Sequence, residues 1–245
     1  MKTTILTFTA AYFLCLCSTS AATVTHQRLE VGYSNTLSTT IVPGSTLPPD
    51  GLLAVGFNNE LLQSATAAFG VANTVNGFCS LTVGSYNQVG NIVSYSSMAV
   101  GTANYSLGTN SMVIGEYNHN SADSENGDAN ASLVTGFFNH NEGNGSLLSG
   151  SNNNIPNIID GQIMDVVENA TLLGKGLIVR HDNCTVVGKN NASPVPTIPP
   201  SGPSPLFVVG KGSDASNRSN ALEVLDNGQI IISVPQGDIS MGIYE

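Results

Sequence analysis

The sequence predicts an all-β fold: a parallel β-roll, or β-solenoid, with 14-residue coils and a short C-terminal cap or neck. Three observations carry that prediction. A glycine closes a short apolar run again and again, at Val55-Gly56, Phe69-Gly70, Val83-Gly84, Val100-Gly101, Ile114-Gly115, Thr135-Gly136, Ser149-Gly150, Leu173-Gly174, Val187-Gly188 and Val209-Gly210. The gaps between these glycines are 14, 14, 17, 14, 21, 14, 24, 14 and 22 residues, a fixed period interrupted by insertions, as stacked coils produce. Three residues after the glycine comes an asparagine, at Asn59, Asn73, Asn87, Asn104, Asn118, Asn139, Asn153 and Asn191. Asparagine tolerates left-handed backbone and bonds its own turn, so it is expected to form a tight corner in every coil.

The third observation is the apolar run itself. Leu81 and Val83, or Met112 and Ile114, alternate around a position that is often small: Ala54, Ala68, Thr82, Ala99, Val113. Strand side chains alternate faces, so such a strand has two faces to bury. One fills the narrow coil interior, and the other requires a partner.

Taken in order, residues 1–22 read as a signal peptide. Lys2 is the positive start, Ile5 to Cys17 the apolar stretch, and Ser20-Ala21-Ala22 a small-residue cleavage site. No later apolar run approaches the roughly 20 residues of a membrane span. A Thr-rich leader over 23–50 ends in Pro48-Pro49, and 51–192 form the repeat body. Extra glycines at Gly77, Gly108 and Gly143 mark the opposite corner of some coils. Residues 193–205 hold six of the 11 prolines and are expected to be a stiff linker. The tail, 206–245, carries strand-like runs at Leu206 to Val209 and Gln229 to Val234.

Composition narrows the function classes. Loss of Lys2 leaves 6 basic residues against 17 acidic ones, which argues against nucleic-acid binding. Charged residues make up only 10%, so Asn, Ser, Thr and Gly supply the polarity, as suits an extracellular surface of tight turns. Cys79 and Cys184 remain after export, many coils apart and out of disulfide reach. Cys184 takes the slot filled by Ser80, Ser97, Ser111, Ser132 and Ser146, so it reads as a small buried residue.

The runs Ser97-Met98-Ala99-Val100-Gly101, Thr66-Ala67-Ala68-Phe69-Gly70 and Ser80-Leu81-Thr82-Val83-Gly84 resemble the head repeat of trimeric autotransporter adhesins, the YadA-like head. The resemblance covers roughly residues 51–192. It implies a left-handed parallel β-roll, a homotrimer that buries the inner faces, and host matrix proteins or cell-surface glycans as ligands. The tail segments Leu206-Phe207-Val208-Val209-Gly210-Lys211-Gly212 and Asn217 to Val224 resemble a stretch found after such repeats in bacterial surface and phage-like fibre proteins, where it acts as a neck or cap. The chain carries neither the heptad stalk nor the C-terminal membrane barrel of the adhesin family, so self-anchoring by that route is not expected.

Few residues suggest chemistry. His119 and His140 each follow their glycine by four residues, a register that favours a stacked turn ladder over a metal pair. The acidic insert holding Asp123, Glu125 and Asp128 lacks the closing glutamate and spacing of a calcium loop and reads as solvated. A second insert offers Asp160, Asp165 and Glu168; carboxylate pairs on a β-helix can cleave polysaccharides, yet only Lys175 and Arg180 are near to assist. No catalytic triad order, phosphate loop or metal motif stands out, and no cofactor is expected. The expectation is an exported, non-enzymatic, trimeric adhesin-like head, secreted or held at a bacterial surface. His119, Asp123, Glu125, Asp128, Asp160, Asp165 and Glu168, on the inserts over 119–130 and 151–170, are its candidate binding residues. A structural spacer, or a polysaccharide-degrading enzyme, is the alternative.

Overall fold

The computed structural model describes residues 28–38, 51–90, 95–121, 130–156, 158–159, 162–163, 166–193, 202–234 and 237–241. The signal peptide lies outside them, as do Asp123, Glu125, Asp128, Asp160, Asp165, most of the leader and most of the Pro-rich linker. Every described element is a β-strand, and among the described residues no helix is long and apolar enough to cross a membrane.

The chain is a β-roll. A 14-stranded sheet takes one strand from each coil and ends in three antiparallel C-terminal strands, and an 8-stranded sheet faces it across the core. Glycine stacks on glycine: Gly56 pairs with Gly70, Gly70 with Gly84, Gly84 with Gly101, Gly101 with Gly115, Gly115 with Gly136 and Gly136 with Gly150. All these neighbours are parallel, so the 14-residue period is the coil. The stack also begins earlier than the repeat body predicts. Arg28–Tyr33 pairs in register with Leu52–Phe57, setting Gly32 against Gly56.

The glycines are obligatory for a steric reason. A Cβ on Gly101 would sit 1.9 Å from the carbonyl oxygen of Gly115, and φ there is +120°, a backbone that L-residues avoid.

The asparagines do a different job from the one their spacing suggested. The left-handed residue of the corner comes one earlier, at Asn58, Ala72, Tyr86, Ala103, Tyr117, Phe138 and Asn152. The ladder asparagine itself is buried, with Asn73 at 0% and Asn87, Asn104 and Asn118 at 1% exposure. Its amide joins the coil before to the coil after. Asn118 Nδ2 donates to Asn104 Oδ1 at 3.1 Å and to the Gly136 carbonyl at 2.8 Å, while its Oδ1 accepts from the Asn139 N–H at 3.1 Å. Each buried amide therefore satisfies backbone groups that a tight corner would otherwise orphan. Asn35 starts this ladder in the first coil, accepting from the Asn59 N–H at 3.0 Å. Asn191 lies off the regular ladder, because the preceding coil carries Leu177 in the asparagine slot. Its amide clasps Ile178 instead, accepting from the N–H and donating to the carbonyl, both at 2.8 Å.

At the opposite corner the left-handed residues are Ala65, Cys79, Ser96, Asn110, Ala131, Gly145, Asn169 and Asn183, two residues beyond the slot of Gly77, Gly108 and Gly143. Gly143 is small for another reason, since a Cβ there would meet the Val167 carbonyl at 2.6 Å. The excursions all leave from this side of the coil, after Ser38, Gly90, Ser121, Pro156 and Ser193. The fourth contains a two-stranded antiparallel hairpin, Ile158–Ile159 with Gln162–Ile163.

Alternation along the long sheet sorts the side chains. Ala54, Ala68, Thr82, Ala99, Val113, Val134 and Leu148 point inward and are fully buried. They face Leu61, Val75, Val89 and Ile155 of the short sheet, and in the middle coils Ser106, Asn120 and Asn141. Among the described residues the two cysteines are free, Cys79 exposed and Cys184 buried in the serine slot. Burial first, and the Glu223 charge second, pushes the Cys184 thiol up to about 12.

The C-terminal end is closed by a change of direction. Pro205–Lys211 is the last parallel strand, on Thr185–Lys189. Asn220–Leu225, Ile230–Val234 and Gly237–Met241 then follow as an antiparallel meander. The strand at Asn220–Leu225 falls within the expected cap segment but outside its two strand-like runs.

Candidate functional site

The outer surface offers three stacked columns. The first two lie on the long sheet. One runs through Leu53, Ala67, Leu81, Met98, Met112, Leu133 and Leu147, the other through Val31, Val55, Phe69, Val83, Val100 and Ile114. Phe69, Val83, Ile114 and Leu173 remain 37–42% exposed, so the second face of these strands is not covered within one chain. Apolar side chains repeated in register on one flat face are a contiguous patch rather than scattered surface residues.

The third column is aromatic and polar, on the short sheet. His119 lies in the strand His119–Asn120, its ring 5.0 Å from Tyr105 and 4.7 Å from His140, stacked on both. The two histidines pair directly across neighbouring coils, as their spacing requires. His140 Nε2 lies 2.9 Å from Glu142 Oε1. Among the described residues, no group of three or more His, Cys, Asp or Glu side chains is placed to hold a metal ion.

Glu168 is exposed at a corner, where its N–H donates to Asp182 Oδ1 at 2.9 Å. It lies in the stack, bridged in parallel to Asn144, rather than out on the insert. Asp160 and Asp165 fall outside the described residues. A cavity of about 10 Å³ among Arg180, Cys184, Val208 and Glu223 has room for about one water.

His119 is among the candidates that the sequence offers, and its neighbour Tyr117 is not. Tyr86, Tyr117 and Phe138 each stand two residues after their glycine, at left-handed φ of 57°, 54° and 52°. Phe137 joins the last two, with ring centroids 4.4 Å from Phe138 and Tyr117 stacked on Phe138 at 4.9 Å. The column one residue closer to the glycine also went unread. It runs Glu116, Phe137, Ser151, Lys175, Lys189, Lys211 down six adjacent strands. The signal was present as a constant offset from the glycine, hidden because the residue type changes along the column.

No family model matches this chain, and no curated protein matches it.

Proposed function

We propose that this protein is an exported, non-enzymatic binding head that works as a homotrimer, its three rolls packed through the outer faces of their long sheets. The observation that supports this reading is the pair of apolar columns left exposed on that face. A second copy of the same roll is the occupant whose side chains repeat at the same interval of about 4.8 Å. Covering each half-exposed Val, Ile, Leu or Phe contributes about 1 kcal/mol. Summed over the columns, this is enough to offset the several kcal/mol that association costs in lost freedom. The number three, the left-handed coil and the adhesive role follow from the likeness of the repeats to YadA-like heads. Three copies side by side turn weak contacts into avidity without a deep pocket.

Light scattering of the exported chain tests the assembly. A chain of 25.3 kDa before export gives about 70 kDa as a processed trimer, and Ile114→Asp should break it to monomers. A wild-type monomer overturns the reading. An array of matrix proteins and glycans tests the role; a trimer that binds none of them is a structural spacer.

A further inference from the structure

We infer that the corner column from Phe137 to Lys211 is a binding strip for a linear anionic polysaccharide lying along the roll axis. The inference deepens the proposed binding role and rests on it. It replaces the acidic inserts with a site of opposite charge.

The lysines carry the first half of the argument. The chain has 7 Lys and Arg against 17 Asp and Glu, yet three of the seven stand on adjacent strands in direct register, Lys175 on Lys189 and Lys189 on Lys211. All three are exposed. Like charges directly opposite one another on neighbouring strands destabilise a sheet. Among the described residues neither Lys175 nor Lys189 forms an ion pair that would relieve this. Lys211 donates to the Ser233 carbonyl at 2.8 Å, which fixes its ammonium without neutralising it. Such a column is stabilised by an anion with matching repeat. It also has to remain at the rim of a trimer, because packing it against copies of itself would bring like charges together.

The aromatics carry the second half. Left-handed backbone costs a bulky residue on the order of 1–3 kcal/mol, and equivalent positions in other coils hold Ser34, Asn58, Ala72, Ala103, Asn152 and Asn190, with Tyr86 a further aromatic away from the strip. Tyr117 and Phe138 are nevertheless aromatic there, 46% and 50% exposed, with Phe137 beside them at 42%. The next coil has only Ser151 and Asn152 in these slots, so the aromatic shelf ends in a step toward the lysines. Aromatic shelves offer an apolar surface to the C–H faces of sugar rings, and ammonium groups pair with carboxylate or sulfate.

Spacing selects the ligand. The column advances about 4.8 Å per strand, close to the length of one unit in a linear sugar chain. An extended acidic peptide presents same-side carboxylates about 6.8 Å apart and drifts out of step. From Phe137 to Lys211 the strip spans about 19 Å, and Glu116 on the next strand ends it with a repelling charge.

The test uses the whole exported chain and four probes: dextran sulfate, polygalacturonate, uncharged dextran and single-stranded DNA. Binding to dextran sulfate or polygalacturonate is expected, weakening with salt, with none to dextran. Lys175→Gln with Lys189→Gln should lower that affinity tenfold or more at unchanged oligomer mass. Phe138→Asn should also lower it, in a slot whose equivalents are already asparagine in other coils. Wild-type affinity in both variants, equal binding of the DNA, or loss of trimer mass in the lysine variant overturns the inference. A trimer that binds neither charged polysaccharide overturns it too and leaves the assembly standing; a monomer that binds dextran sulfate through these lysines drops the trimer and keeps the strip.

Discussion

Replacing Asn118 with alanine is expected to destabilise the roll far more than one exposed corner substitution would. The side chain is 1% exposed and its amide takes part in five hydrogen bonds. Truncation leaves the Asn139 N–H without its acceptor and removes one donor from the Gly136 carbonyl. Each orphaned buried group costs roughly 1–3 kcal/mol, so a loss of about 4 kcal/mol is expected. For a chain of this size that lowers the melting temperature by about 10 °C or more. Asn118→Asp separates hydrogen bonding from shape. It keeps the accepting oxygen but turns the second oxygen toward Asn104 Oδ1 and the carbonyls of Ile114 and Gly136. Burial and those acceptors raise that carboxyl's folded pKa, so the penalty is small below its unfolded value near 4 and grows as pH rises through it. The assay is thermal unfolding by circular dichroism at pH 4 and pH 7, with hydrogen exchange to localise the opening. An alanine variant within about 3 °C of wild type would refute the claim that the ladder holds the coils together.

Gly101→Ala places a methyl 1.9 Å from the Gly115 oxygen, so the two coils must part; loss of folded protein on expression, or a melting temperature lowered by more than 10 °C, is the expected outcome. Tyr86→Asn works in the other direction. It puts a left-handed-tolerant residue at φ 57°, and a gain of about 1 kcal/mol in chemical denaturation is expected. Cys184→Ser tests the buried thiol. A folded pKa of about 12 against an unfolded value near 8.5 keeps the thiol's contribution intact below pH 8.5 and erodes it as pH rises toward 12, by up to about 1.4 kcal/mol per pH unit. The wild-type minus variant difference should therefore fall between pH 9 and 11. Cys79, exposed, should react with a thiol reagent at pH 8 while Cys184 does not.

The roll was legible because its glycines answer a steric demand that no other residue meets, and that demand recurs wherever two coils touch. Asparagine was legible as a position but not as a mechanism. Spacing cannot distinguish a residue in a left-handed corner from one whose side chain reaches into the wall one step later. The first coil escaped notice because residues 39–50 separate Gly32 from Gly56 and disguise the period. Tyr117, Phe138 and the three lysines escaped for a different reason. Their slots accept asparagine, alanine, serine or threonine elsewhere, so only the pairing register reveals that they form lines. Of the inserted acids, Glu168 alone lies among the described residues, and it belongs to the stack.

Within the roll itself the parallel coils are left from one side each time, beyond Ser38, Gly90, Ser121, Pro156 and Ser193. The edge bearing Tyr117, Phe138 and Lys175 therefore continues from coil to coil until the turn over 212–219 meets it at the C-terminal end, where Arg218 donates to the Gly176 carbonyl at 2.6 Å and the Ser219 N–H to the Asn190 carbonyl at 3.1 Å. One margin of the molecule is free to diversify in sequence and size, while the other keeps its register from coil to coil as far as the cap. Lengthening the protein by a whole coil would extend that register by one more step.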